Sequence, residues 1–231
     1  MAPSDVPTGT HALRTVGTEG RQRYWLVALS SLIALVVSLV GAVLSPVVSL
    51  VATVLLVALI AWGWPAASGI AELRGIKNVL AHSAIFALCG WAGCALVYLA
   101  PTGKLLTLLP AVVAVGVVVV FLAELVRGEG AAARLESTIS GAVGVFTAVS
   151  ASGWVGMALI HHRTETGASV WGAGAILALC IGIVGARMIA AGPEGGLRRG
   201  AMTLGVTPVA FLGVLGYAGT LVIDRVIAWL P

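Results

Sequence analysis

The chain has 231 residues, of which 59% are apolar and only 10% charged, with a formal net charge of +4 and a mean hydropathy of +1.07. An ordinary soluble domain carries about a quarter charged residues, so a water-soluble globule is excluded: there is too little polar side chain to cover the apolar surface. The positive charge does not imply a nucleic-acid partner, because it falls where membrane topology places it.

In chain order, residues 1–23 form a polar tail with Asp5, Glu19, Arg14, Arg21 and Arg23. The apolar run that starts at Tyr24 is about 20 residues long, too long for a signal-peptide core, and is read as a retained first helix. Further runs give spans at 24–44, 46–64, 78–100, 105–126, 137–160, 168–190 and 202–224. At a rise of 1.5 Å per residue, a run of about 20 matches the roughly 30 Å hydrocarbon core. The expected fold is an all-α polytopic bundle of about seven spans, with 1–23 a cytoplasmic tail and 24–231 the transmembrane domain. Pro46 and Pro110 are expected in first turns, and Pro65, Pro101 and Pro193 at helix ends. Pro208, after Thr207, falls inside the seventh span, where a kink frees a carbonyl.

Basic residues are retained on the cytoplasmic side. Arg14, Arg21, Arg23, Arg74, Lys77, Arg127, Arg134, Arg187, Arg198 and Arg199 fall on one side of these spans, and only Lys104, Arg163 and Arg225 on the other. The expected location is the inner (plasma) membrane, with the N-terminus cytoplasmic and the C-terminus outside. The preference for Arg over Lys suits a GC-rich bacterial genome.

A weak repeat recurs every 63 residues: Gly90-Trp91-Ala92-Gly93, Gly153-Trp154-Val155-Gly156 and Gly216-Tyr217-Ala218-Gly219. It suggests tandem two-helix units, although the first hairpin lacks the motif. Paired glycines leave a shallow groove for a neighbouring backbone, so Gly90, Gly93, Gly153, Gly156, Gly216 and Gly219 are read as helix-packing positions. Trp91, Trp154 and Tyr217 would fill the groove's edge or face the outer interface.

Ionisable groups inside a bilayer are costly and therefore point to function. Three stand out, His82 in the third span, Glu124 in the fourth and Arg187 in the sixth, as a candidate substrate or proton path. Glu124 and Arg187 are also 63 apart and could pair across the bundle; the plainer reading has each reaching the cytoplasmic interface, Glu124 held by Arg127. His82 shares a face with Asn78, Phe86 and Cys89, and a free imidazole changes charge near pH 6.5, which suits proton coupling. The fifth span is the most polar, with Ser140, Gly144, Thr147, Ala151 and Trp154 on one stripe, and is the candidate central helix.

No catalytic set emerges. Ser150-Ala151-Ser152-Gly153 is similar to the serine box of rhomboid intramembrane proteases, but it begins with Ser instead of Gly, and neither of the last two spans holds a histidine to act as base. His161 and His162 point about 100° apart on a helix, and His161 with Glu165 gives too few ligands for a metal. Cys89, Cys94 and Cys180 lie inside spans, away from any disulfide framework. The only aspartates are Asp5 and Asp224, and there is no Walker A loop, His-Glu-x-x-His or Gly-x-Ser-x-Gly. No cofactor or metal is expected. The first reading is a non-enzymatic membrane subunit or scaffold that meets another membrane protein or a second copy within the bilayer. The alternatives are a small transporter or permease component and, third, a lipid-handling enzyme using Glu124 or Glu136.

Overall fold

A computed structural model describes residues 10–73, 76–100, 105–128, 133–162 and 197–229. The expected sixth span, 168–190, lies outside the described residues, and with it Arg187 and Cys180. Among the described residues the regular elements are all helices: α1 (Thr10–Leu44), α2 (Pro46–Ala67), the single turn α3 (Ile70–Leu73), α4 (Ile76–Leu99), α5 (Leu105–Val126), α6 (Arg134–Ser150), α7 (Gly153–His161) and α8 (Arg198–Trp229). Among the described residues six stretches are long and apolar enough to cross a bilayer: Tyr24–Leu44, Pro46–Ala67, Val79–Leu99, Leu108–Val126, Arg134–His161 and Arg198–Val222. They match six of the seven expected spans. The chain folds as an all-α transmembrane bundle and is a multi-pass membrane protein, an arrangement that keeps backbone polar groups paired inside each span.

Local chemistry sets the helix boundaries. Between α1 and α2 only Ser45 is non-helical; it is extended (φ −171°, ψ 158°), and its hydroxyl accepts from the Val48 amide while Pro46 takes the first helical position. Pro65 lies at a helix end as expected, inside the last turn of α2, while Pro101 and Pro193 lie outside the described residues. One proline expectation needs correction: Pro110 lies in the second turn of α5, which starts at Leu105, and not in the first. A proline this close to a helix start displaces few intrahelical bonds, so the helix tolerates it. Pro208 does lie inside α8. The Thr207 hydroxyl donates to the Thr203 carbonyl at 2.8 Å, whereas the carbonyl a proline frees is the one four residues back, on Leu204.

The fifth span, Arg134–His161, is the most buried of the six, with 83% of its window inside the bundle. Its first half, α6, packs on α4 and α5, and its second half, α7, packs on α8, α1 and α2. Between the halves the helix is interrupted at Ala151 and Ser152. There the Ser152, Trp154 and Val155 amides bond three residues back, to Val149, Ala151 and Ser152, in place of the usual four. Ser152 Oγ also donates to the Val149 carbonyl at 2.7 Å. The Ser49 hydroxyl of α2 donates to the Trp154 carbonyl at 3.1 Å, which ties the break to its neighbour.

Small residues bring the helices together, as bundles without a hydrophobic force between helices require. A Cβ on Gly153 would collide with the Gly213 backbone of α8. A Cβ on Gly200 would lie 2.8 Å from the Ala66 carbonyl carbon, which places the start of α8 beside the end of α2.

Candidate functional site

The residues that gather chemistry lie at that same end of the bundle, where α4 begins, α5 ends and α6 begins. On α6, Ser137, Gly141, Gly144 and Ala148 recur at helical spacing, so one face carries only small side chains. A Cβ on Gly141 would strike Val120 of α5, and one on Gly144 would lie 2.7 Å from the Phe86 ring of α4 and 2.8 Å from Trp64 of α2. This close approach brings the Ser137 hydroxyl to the α5 carboxylate.

Glu124 is the centre of the cluster and is 1% exposed. Its Oε1 accepts from Ser137 Oγ at 2.8 Å and lies 3.1 Å from His82 Nε2. Its Oε2 accepts from Arg127 Nη1 at 2.7 Å, one turn along the same helix. His82 is itself buried, with its ring edge-on to Phe86 at a centroid distance of 6.0 Å. Trp64 closes the side toward α2: its indole N–H donates to the Ser140 carbonyl at 2.9 Å. A guanidinium and a hydroxyl both donate to this carboxylate, and charge-assisted bonds of this kind are the strong ones. The arrangement can store a charge or pass a proton across the His82–Glu124 contact. It is poorly placed to attack a substrate, since Ser137 is fully buried.

Of the three expected path residues, the structure brings His82 and Glu124 into contact, while Arg187 lies outside the described residues. Glu124 does pair with Arg127, but it does not reach out to the interface; the packed face of α6 shuts it in. Ser137 was not among the expected site residues. The signal was present in the Ser137-Gly141-Gly144-Ala148 stripe, which shares Gly144 with the stripe through Ser140 and Thr147 and adjoins it on the helix.

The three aromatic–glycine motifs occupy unlike surroundings. Trp91 is 41% exposed, and its N–H reaches the Val54 carbonyl at 3.3 Å. Gly90 packs on Val57 of α2, and Gly93 lies by Ser152. Trp154 is buried and donates to the Val209 carbonyl of α8 at 2.8 Å. The second and third motifs pack on each other: Gly156 meets the Tyr217 ring, and Gly216 meets the Met157 sulfur. No described residue lies within 4 Å of a Cβ on Gly219.

His161 and His162 stack edge to face at 5.1 Å, and no group of three or more potential metal ligands occurs among the described residues. Neither a scan against protein-family models nor searches of curated proteins and of solved structures found a match.

Proposed function

We propose that the chain is a small transporter or permease component whose working centre is the His82–Glu124–Arg127–Ser137 cluster. The observation that carries this reading is a carboxylate and an imidazole in contact, 3.1 Å apart and both buried between three membrane helices. An intramembrane ionisable pair is the usual mark of an ion or proton path. With the basic end taken as cytoplasmic, the cluster stands at the inner mouth of such a path. Glu124 already serves three partners away from the surface, which argues against its acting on a lipid headgroup as an enzyme would use it.

The test is proton movement in proteoliposomes carrying a pH-sensitive dye, with added cations, amino acids and sugars screened in turn. Wild-type protein moves protons with at least one of these, and Glu124→Gln and His82→Gln lose the signal while eluting as folded protein. The scaffold reading is the second one, favoured by the wide apolar surfaces of α1 and α5, where only 28% and 22% of the span windows are buried. An inert wild type that copurifies with a stoichiometric protein partner would replace the first reading with the second.

A further inference from the structure

A separate feature lies on the far side of α2 from the cluster and has no part in the transport reading. Between α1, α2 and α8 runs a partly open groove of about 330 Å³. Leu29 and Ile33 of α1, Leu55 and Leu59 of α2, and Met202 and Val206 of α8 line it. Its few polar groups are hydroxyls, and that of Ser30 is already engaged with the Val27 and Met202 carbonyls. All three walls belong to membrane-spanning stretches, so whatever fills the groove is apolar.

The walls change character one helical turn beyond the groove. Trp62 follows Leu59 by three residues on α2, and Arg199 precedes Met202 by three on α8, so each continues the face that lines it. The Arg199 guanidinium carbon lies 6.0 Å from the centre of the Trp62 ring. Its Nε is shut off from solvent and has no hydrogen-bond partner among the described residues. Arg199 as a whole is only partly buried, so the rest of its guanidinium stays open to a ligand, and the acceptor a guanidinium suits best is a phosphate or carboxylate oxygen. Trp62 is half-exposed, as an interfacial tryptophan is at headgroup level.

We propose that this groove binds one anionic phospholipid, with an acyl chain along α1, α2 and α8 and the phosphate on Arg199 beside Trp62. The guanidinium lies one helical turn beyond the apolar groove on the same face of α8, and a phospholipid is the ligand whose two parts suit both. Free phosphate would satisfy only the second, and a neutral lipid only the first.

Native mass spectrometry of the full chain, purified in detergent supplemented with phosphatidylglycerol or phosphatidylcholine, tests this. Wild-type protein retains one phosphatidylglycerol about tenfold better than phosphatidylcholine, the size of one charge-assisted hydrogen bond. Arg199→Gln removes that preference, while Arg198→Gln, the same charge change on the exposed neighbour, leaves it intact. Leu55→Trp fills the groove and lowers retention of both lipids, and it gives a second reading should Arg199→Gln fail to fold. Equal retention of the two lipids by wild type, an equal loss in Arg198→Gln, or displacement of phosphatidylglycerol by millimolar inorganic phosphate would overturn the proposal. So would a protein partner cross-linking at Leu55→Cys in place of lipid.

Discussion

At Glu124 the balance of terms can be followed residue by residue. Even at the bilayer centre a carboxylate costs about 2.5–3.5 kcal/mol on membrane-insertion scales, an upper bound for Glu124 near the end of α5, and each hydrogen bond from or to a charged group returns about 1.5–3 kcal/mol. The donors from Arg127 and Ser137, with His82 alongside, are therefore enough to keep the group buried. Truncation does more than remove one charge. Glu124→Ala leaves Arg127 and Ser137 facing a hole, and breaking a buried pair in this way costs about 3–5 kcal/mol. Glu124→Gln keeps an acceptor in place and is expected to cost about 1–2 kcal/mol. Thermal unfolding in detergent should rank wild type above Gln and Gln well above Ala; equal midpoints would show that the cluster contributes nothing to stability. His82 and Glu124 were legible in the sequence because ionisable residues stand out in an apolar run. Ser137 was not, because a serine among other serines and glycines becomes informative only once the face that meets α5 is known.

At the scale of helices, the glycines divide by what they touch and not by the motif they belong to. Gly153 and Gly219 hold the first and last places of matching motifs, yet one abuts the Gly213 backbone and the other has no described residue within 4 Å of its Cβ position. Gly153→Ala forces α7 away from α8 and loses the Trp154–Val209 bond with it, whereas Gly219→Ala meets no described residue and gains up to about 1 kcal/mol of helix propensity. Fluorescence-detected size exclusion after heating should show the first variant lost and the second as stable as wild type or more so; similar behaviour of the two would refute the packing assignment. The 63-residue recurrence therefore says little about local surroundings: Trp91 looks outward and Trp154 inward. The interruption at Ala151 and Ser152 was hidden from the sequence for a related reason. Hydropathy averages over some 20 residues, and the turn shortens only a few hydrogen bonds without a proline to mark it.

For the molecule as a whole, length and hydropathy were enough to give the all-α bundle and six of its spans, because the bilayer admits few other solutions. The way the spans pack was not legible, since it depends on which small residues meet. Orientation remains testable on one helix pair. Glu136 and His162 are exposed near opposite ends of the fifth span. With the native cysteines replaced, Glu136→Cys should react with a membrane-impermeant maleimide only from the cytoplasm, and His162→Cys only from outside; the reverse pattern would invert the topology. The Glu124–Arg127 pair has a further consequence during synthesis. Both partners lie on α5, three residues apart, so each charge leaves the ribosome with its neutraliser already beside it. The fourth span can therefore enter the bilayer as an electrically balanced unit before α6 exists to cover it, and the insertion machinery is not presented with an isolated charge.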